Sequence, residues 1–287
     1  MLLHKKPKRA SLTLMEIDMS KLKQAVLKII ETEAEKISPV SLENRLIRLF
    51  KVKRYYVRKT VQSLLDEGEV VYTYHFGNSY LEKSFNRPVR VSNRVVLKPA
   101  HLFFEPTQDD VVVFLDHGVS FGTGQHPTTR LAIRAVEFLM SKTTSLLSKK
   151  DSLVLDIGTG SGVLALTALK FGVSHGIGTD IDPCARDEAR KNAFLNDLNS
   201  RFAIYEGQLA DLNPPVDLIC ANLRFPTLMN LSGQIDRLCA TGGYAVFSGV
   251  RQDEFMEVLK RYAELGFRCI WKSIDQNWSG GAFSRTT

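Results

Sequence analysis

The fold of this chain is decided by residues 154–166, which read V-L-D-I-G-T-G-S-G-V-L-A-L. Val154 and Leu155 end an apolar strand, Asp156 stands at its tip, and helical spacing of apolar residues begins at Val163. The three glycines in between predict a tight turn whose backbone a ligand can approach closely. The helix that follows offers free N–H groups and a partial positive charge. The stretch therefore predicts a site for the nucleoside part of a cofactor, at the carboxyl end of the first strand of an open α/β sheet.

The order of acid and glycines indicates which cofactor this is. Dinucleotide enzymes favour G-x-G-x-x-G, with a pyrophosphate over the helix N-terminus. Here Asp156 precedes Gly158 and Gly160 in a D-x-G-x-G-x-G pattern. S-adenosylmethionine carries an ammonium group and no phosphate, so an acid at the turn suits it better. We expect these three residues to bind S-adenosylmethionine; the alternative is a tight turn that binds nothing.

A second turn, at residues 176–186, narrows the choice of cofactor and fold. A short strand ends in Asp180, eighteen positions after Gly162, and an acid at this place can accept hydrogen bonds from both ribose hydroxyls. Its neighbour Ile181 is expected to contact the cofactor as well. Asp182 followed by Pro183 is typical of a helix cap. Together the two turns predict a class I S-adenosylmethionine-dependent methyltransferase, an α/β fold with a Rossmann-like sheet.

Bulk composition excludes several classes of protein. The 287 residues suit two domains, and a hydrophobic content of 44% is ordinary for a globular chain. No apolar run approaches the ~20 residues of a membrane span, and no apolar segment of a secretory signal follows the basic start. The four cysteines show no C-x-x-C pairing, which argues against disulfides and a zinc site. We expect a cytoplasmic protein with no metal and no membrane contact.

Positive charge is concentrated at the front of the chain. Residues 1–100 carry 20 Lys and Arg against 10 Asp and Glu, whereas the remainder carries 18 against 21. This asymmetry predicts that the front segment meets an anionic partner. We interpret residues 1–19 as a basic flexible tail.

Residues 20–85 are predicted to form a small domain of their own. Apolar spacing predicts helices over residues 20–36, from a cap at Ser41 to about Phe50, and over residues 54–67. Two short β runs follow, at 69–74 and 79–83. Three helices and a hairpin in this order are typical of a winged helix-turn-helix domain.

The third of these helices would be the recognition helix. Basic side chains lie on and before it, with Tyr55, Tyr56 and His75 available between them. The predicted contact residues are Lys51, Lys53, Arg54, Arg58 and Lys59. Neutralising phosphates is what nucleic-acid binding requires, so we expect a nucleic-acid or ribonucleoprotein partner. Protein docking and a purely structural role are the alternatives.

Residues 86–107 are predicted to be a linker with a short β run at 89–97, and residues 108–287 the methyltransferase domain. A strand at 111–115 precedes a loop with three glycines and two histidines, which leads into a helix at about 128–140. That composition is typical of a ligand-contacting loop. His117 and His126 could act as bases, although we favour a loop-shaping role for His126.

Four strings in this half resemble one family. F-G-T-G-Q-H-P-T-T at 121–129, D-I-G-T-G-S-G at 156–162, A-N-L at 221–223 and S-G-V at 248–250 resemble the ribosomal-protein methyltransferases that trimethylate the stalk-base protein of the large ribosomal subunit. The resemblance covers roughly residues 102–287. It implies that the loop closes over bound S-adenosylmethionine. It further implies that four residues line the cofactor above Gly158 and Asp180: Phe121, Gly122, Thr123 and Thr128.

The chain departs from the family pattern at three places. Asp116-His117-Gly118 replaces the usual Asp-Pro-Gly, and residues 222–226 read N-L-R-F-P where N-I-L-A is usual. The family's N-terminal domain is a small α/β module, which residues 20–83 do not resemble. The resemblance therefore predicts the methyl-transfer chemistry but does not predict the substrate.

The acceptor side is predicted at the end of the fourth strand, residues 216–221. In this fold class the residue that follows, here Asn222, faces both the cofactor and the transferred methyl. Its oxygen and the adjacent carbonyls could hold an amine. Phe225 could stack on the target or cover the methyl, with plain packing as the alternative. Gln208 or Leu209, after the third strand, is expected to contact adenine.

The last third of the chain completes the predicted sheet. A strand at 244–248, a helix at about 252–265, a strand at 267–273 and a closing strand near 281–285 fit a seven-strand sheet whose last pair is an antiparallel hairpin.

The sequence favours a protein N-methyltransferase that acts on a lysine or an N-terminal amine of a ribosomal or other basic-complex protein. The alternative is an RNA or DNA methyltransferase whose basic winged helix holds the polymer. A third hypothesis, less favoured, is a DNA-binding regulator that senses the cofactor.

Overall fold

The computed structural model describes residues 19–32, 37–75, 78–85, 87–116, 126–143, 146, 148–213 and 215–286. The first described unit contains three helices and an antiparallel hairpin. Their bounds are α1 (Met19–Thr32), α2 (Pro39–Phe50), α3 (Arg54–Asp66), β1 (Val70–His75) and β2 (Asn78–Lys83). This is the predicted order of elements. Residues 1–18 and 33–36, parts of the predicted tail and first helix, lie outside the described residues.

A separate hydrophobic cluster holds this unit together. One apolar stripe from each helix meets the hairpin, and the buried members include Leu22, Leu42, Val57, Leu64 and Leu81. The cap of α2 was predicted at Ser41 and is in fact Ser38, whose side chain accepts a hydrogen bond from the Ser41 amide. The helix starts earlier than predicted because Pro39 occupies its first position, where proline is favoured and does not interrupt the helix.

Residues 86–107, predicted to be a linker with one β run at 89–97, contain two strands. Strands β3 (Val89–Arg90) and β4 (Val95–Pro99) pair antiparallel, and β4 pairs in parallel with β5 (Val111–Leu115). All five residues of β4 are buried, and Leu97 belongs to the large hydrophobic cluster of the main sheet. The single predicted β run is two strands, because the bend at residues 92–94 reverses the chain.

The remaining elements alternate between strands and helices. They are α4 (Pro127–Lys142), β6 (Leu153–Ile157), α5 (Val163–Phe171), β7 (His175–Thr179), α6 (Pro183–Leu195), β8 (Phe202–Tyr205), β9 (Val216–Asn222), α7 (Phe225–Asn230), α8 (Ser232–Leu238), β10 (Cys239–Arg251), α9 (Phe255–Glu264), β11 (Phe267–Asp275) and β12 (Trp278–Arg285). A 3₁₀ turn at Leu209–Asp211 follows β8.

Seven of these strands form one sheet, in the order β11-β12-β10-β9-β6-β7-β8. Strands β6 to β10 run parallel, and β12 lies antiparallel between β10 and β11. This confirms the seven-strand class I methyltransferase sheet with a closing hairpin. The predicted strand at 244–248 lies within the longer strand β10. The predicted closing strand at 281–285 begins three residues earlier, at Trp278.

The strand order also fixes where a ligand can bind. The chain leaves β6 toward β7 and β8, then returns to place β9 on the other side of β6. Such a switch point opens a crevice at the carboxyl ends of the two strands, because the flanking helices turn to opposite faces. Successive residues of the strands point to opposite faces: Val154 lies in one buried cluster and Leu155 in the other. The carboxyl ends of β6 and β9 are therefore rigidly held.

Candidate cofactor and acceptor site

The glycine turn after β6 is held against the end of β7. Gly158, Gly160 and Gly162 all have positive φ, of 69°, 53° and 81°, a conformation that other residues rarely adopt. The amides of Gly158 and Thr159 both donate to the Thr179 carbonyl, at 2.8 and 2.9 Å. A side chain at position 158 would lie 2.6 Å from Leu223 Cδ2. The turn therefore presents backbone where β6 and β9 diverge.

Asp156 is buried beneath this turn. One carboxyl oxygen accepts from the Thr159 hydroxyl at 2.9 Å and from the Ala165 amide at 3.2 Å. The other oxygen, Oδ1, is buried and has no hydrogen-bond partner among the described residues. Burial raises the pKa of this carboxyl to about 7, against the lowering effect of its two donors. A cation that reached Oδ1 would favour the ionised form.

Asp180 lies at the carboxyl end of β7, and backbone donors hold its side chain in place. Its two oxygens accept from the amides of Gly160 at 2.9 Å and Asp182 at 3.0 Å. Each carboxylate oxygen has a further lone pair, so the group can still accept from a pair of hydroxyls. Ile181 beside it is 99% exposed, which is unusual for a large apolar side chain and suits a residue that covers a flat ligand. Asp182 is the helix cap of α6, as predicted.

Asn222 ends β9 on the other side of the turn. It pairs in register with Ser248 of β10, and the next amide, of Leu223, donates to the Ser248 carbonyl at 3.0 Å. The side-chain oxygen of Asn222 is buried and has no partner among the described residues. A buried polar oxygen without a partner costs free energy, so its place at the crevice suits a ligand that donates to it.

Three further predicted residues surround this edge. Phe225 begins α7 and packs half-buried against the hydrophobic cluster of that sheet face. Leu209 begins the 3₁₀ turn and packs against the same cluster, whereas Gln208 before it is exposed. Phe225 and Leu209 thus both have packing roles.

The start of α4 is fixed to the same edge. His126 is the helix cap, and its Nδ1 accepts from the Thr128 amide at 3.3 Å and lies 2.8 Å from the Thr128 hydroxyl. The Ser248 hydroxyl donates to the Thr128 carbonyl at 2.9 Å. His126 thus caps the start of α4, and the hydroxyl of Thr128 faces His126. The loop that His126 was predicted to shape lies outside the described residues. His117, Phe121, Gly122 and Thr123 lie outside the described residues.

Sequence reasoning missed two asparagines that connect this site to the smaller sheet. The side chain of Asn192 accepts from the Asp116 amide at 2.8 Å and donates to the Ser161 carbonyl at 2.9 Å. One helical turn later, Asn196 bonds both the amide and the carbonyl of Phe114. The sequence did contain a signal for these bonds: two asparagines four positions apart, at the end of α6, in line with its buried alanines. A polar residue on an apolar helix face needs a hydrogen-bond partner.

The predicted contact residues of the N-terminal unit are exposed, but two of them are already paired. Arg54 and Arg58 both form ion pairs with Glu43, at 3.4 and 2.8 Å. The side chain of Arg54 also donates to Asn44, at 3.0 Å. Lys51 and Lys53 flank the turn between α2 and α3, and Lys59 lies farther along α3. The structure therefore divides the five residues into two arginines that share one carboxylate, and three lysines that have no ion-pair partner among the described residues.

The crevice between β6 and β9 thus combines glycine backbone, two carboxylates, an exposed apolar side chain and an amide oxygen that no described residue pairs with. These groups fit S-adenosylmethionine, since the carboxylates suit hydroxyls and an ammonium. Among the described residues, no group of three or more His, Cys, Asp or Glu is placed to hold a metal ion. In the same part of the chain, none of the helices has the length and apolarity needed to cross a bilayer.

Comparison with known proteins identifies the family. Residues 78–285 match the family model described as ribosomal protein L11 methyltransferase (PrmA). The chain is 30% identical over 234 residues to the ribosomal protein L11 methyltransferase of Clostridium perfringens (strain SM101 / Type A), covering 78% of this chain and 72% of the relative. A relative from Clostridium botulinum (strain Eklund 17B / Type B) is 32% identical over 198 residues, covering 69% and 60%.

A solved structure agrees with these relatives. The ribosomal protein L11 methylase of Lactobacillus delbrueckii subsp. bulgaricus superposes with a TM-score of 0.61 at 31% identity, covering 70% of this chain and 99% of that one. The family match begins within β2, so most of the three-helix unit precedes it. The chain belongs to the ribosomal protein L11 methyltransferase family and is an S-adenosylmethionine-dependent methyltransferase.

Proposed function

We propose that this enzyme N-methylates a ribosomal protein, and that the acceptor is an amine of ribosomal protein L11, on a lysine or at the N-terminus. The names of the relatives support the acceptor protein. The amine is inferred from Asn222, whose buried side-chain oxygen has no partner among the described residues. The next residue, Leu223, packs against Gly158 of the glycine turn. An amine donates to such an oxygen and keeps its lone pair for the methyl carbon.

The proposed cofactor contacts follow from the same edge. Asp180 accepts from the ribose hydroxyls, Ile181 covers adenine, and Gln208 or Leu209 bounds adenine on its other side. Gly158 and Gly160 present backbone, and Asp156 receives the ammonium. The family loop would contribute Phe121, Gly122, Thr123 and Thr128. Two of these residues already have other contacts: Leu209 packs against a hydrophobic cluster, and Thr128 hydrogen-bonds to the helix cap His126.

The residues of this chain position the acceptor and do not activate it by a strong base. Bound S-adenosylmethionine supplies a sulfonium methyl, which is already electrophilic. A free lysine has a pKa of about 10.4 and is mostly protonated at neutral pH. Desolvation beside Asn222 and Phe225 lowers the pKa of the bound amine, because burial disfavours the charged form. Orientation in line with the methyl then supplies the remaining rate enhancement.

Residues 20–85 are proposed to be a separate partner-binding domain, and the methyltransferase domain to begin before residue 108, since β4 packs with it. A ribosomal acceptor makes the cytoplasm the proposed location. The family match begins at residue 78, so α1, α2 and α3 precede it.

Substituting Asn222→Ala tests the proposed acceptor site. We expect kcat for methylation of L11 to fall by about 10²-fold, comparable to removal of one preorganised hydrogen-bonding group from an active site. Binding of S-adenosylmethionine, measured by calorimetry, should persist. The matched control is Asn230→Ala, which removes an exposed asparagine at the end of α7. An unchanged kcat in the Asn222 variant would remove the basis of the proposal.

A further inference from the structure

The turn between α2 and α3 exposes apolar and basic side chains together. Leu49, Phe50 and Tyr55 are 63%, 40% and 65% exposed, although the helices that carry them bury other apolar residues in a complete core. We call residues 48–55 the α2–α3 turn surface; all of them are exposed except Val52, which is half-buried. A contiguous apolar patch with a polar rim is typical of an interaction site.

The charge of this surface is positive. Its basic members are Arg48, Lys51, Lys53 and Arg54, and it contains no acidic residue. Glu43 pairs with Arg54. Among the described residues no carboxylate lies at ion-pair distance from the other three, so their charge is available to a partner.

The same pairing weakens α3 as a reader of duplex grooves. A recognition helix contacts bases and phosphates with side chains on its outward face. Here the two arginines of that face, Arg54 and Arg58, share Glu43, and the pairs would have to break before either contacted a duplex. Lys51 and Lys53, which have no ion-pair partner in the described part of the chain, are next in sequence to the exposed residues of the turn.

We propose that the α2–α3 turn surface binds RNA with unpaired bases. Phe50 and Tyr55 offer rings on which unstacked bases stack, and Lys51 and Lys53 offer charge to the phosphates between them. A protein partner is the less favoured occupant, because lysine is depleted in the centres of protein–protein interfaces. This inference is independent of the proposed acceptor: the enzyme can methylate L11 whether or not this surface binds RNA.

Fluorescence anisotropy with the full-length protein tests this inference. The probes are a labelled RNA hairpin with a large unpaired loop and a blunt RNA duplex of equal charge. We expect the hairpin to bind more tightly than the duplex. Phe50→Ala and Tyr55→Ala should each weaken hairpin binding about 5- to 150-fold, the range measured for loss of one stacked base. Each of Lys51→Ala and Lys53→Ala should reduce the slope of log affinity against log salt by about 0.7.

Two substitutions on α9 are the matched controls. Met256→Ala removes an equally exposed apolar side chain, and Lys260→Ala removes an exposed charge, both away from the turn. All variants should still methylate RNA-free L11, and the amides of α1 to α3 should keep the hydrogen-exchange protection of the natural protein, which shows that the three-helix unit is folded. Equal affinity for hairpin and duplex would overturn the inference, as would unchanged RNA affinity in the aromatic variants. Loss of L11 binding with unchanged RNA affinity would assign the surface to a protein.

Discussion

Asp156 is the residue whose chemistry the site changes most. Its carboxyl is buried, one of its oxygens has no partner within the described part of the chain, and its pKa is raised to about 7. Near neutral pH it is therefore partly protonated. Because this pKa is near 7, the protonation state of Asp156 depends on the charge of the group that binds beside it.

This raised pKa predicts a pH dependence of stability. The folded chain holds a proton that the unfolded chain releases near its ordinary pKa of about 3.9. The stabilisation is therefore full below about pH 4 and is lost as pH rises toward 7. Relative to Asp156→Asn, the cofactor-free protein should lose on the order of 4 kcal/mol of unfolding free energy across this interval. Thermal or urea unfolding at several pH values measures the difference between the two proteins.

Asparagine is a suitable replacement, because its oxygen can still accept from Thr159 and Ala165. A difference between the two proteins that does not vary with pH would show that the pKa of Asp156 is the same in the folded and unfolded chains. Affinity for S-adenosylmethionine should rise with pH through 7 in the natural protein and stay flat in the variant.

Strand β10 makes a close backbone contact with the segment that follows β9. Gly249 has a φ of 86°, and a Cβ there would lie 2.5 Å from the Leu223 carbonyl oxygen and 2.9 Å from the Leu223 nitrogen. The backbone that follows Asn222 thus crosses directly against this glycine. Any side chain at position 249 must displace the proposed acceptor edge, since backbone atoms cannot rotate away as a side chain can.

Gly249→Ala and Gly242→Ala form a matched pair in β10. Both have positive φ, so each alanine has a conformational cost of about 1–2 kcal/mol, but a Cβ at position 242 meets no atom within 4 Å. We expect Gly249→Ala to be less stable than Gly242→Ala by a further 1–3 kcal/mol, the usual cost of overpacking. Methyl transfer should fall only in the position 249 variant. Similar melting temperatures and activities in the two would contradict the close contact.

The elements show which parts of the fold local sequence encodes. The glycine turn, the Asp182 cap and strand β5 were predictable, because each depends on residues a few positions apart. The role of β4 was not, since only its pairing with β5 distinguishes a buried strand from a linker. The bonds of Asn192 to Asp116, 76 positions away, and of Ser248 to Thr128, 120 positions away, were equally hidden. Such long-range contacts connect the parts of the candidate site.

The whole molecule contains two kinds of core. The cluster of the three-helix unit contains residues between 22 and 81, and the clusters of the main sheet begin at Phe85. Glu69 lies where the two regions meet: its carbonyl accepts from the Ser84 amide at 2.8 Å, and its carboxylate pairs with Arg87 at 3.6 Å. Separate cores allow separate unfolding.

Hydrogen exchange should therefore resolve two units. S-adenosylhomocysteine at about 100 times its Kd should raise the opening free energy of the main sheet by about 2.7 kcal/mol, because it binds the folded state only. The amides of α1 to α3 should exchange as they do without it. Equal protection of both regions by the ligand would mean that they unfold as one body, against the proposed division near residue 85.

The identity of the methylated molecule decides most directly whether this enzyme acts on L11. The enzyme should be incubated with methyl-labelled S-adenosylmethionine and the ribosomal protein L11 of its source, both free and within large ribosomal subunits, and the products analysed by mass spectrometry. We predict one or more methyl groups on a lysine or the N-terminal amine of L11, added about 10²-fold more slowly when Asn222→Ala replaces the natural enzyme. Label found in the RNA of the subunits, with none in L11, would contradict the central claim and make the enzyme an RNA methyltransferase.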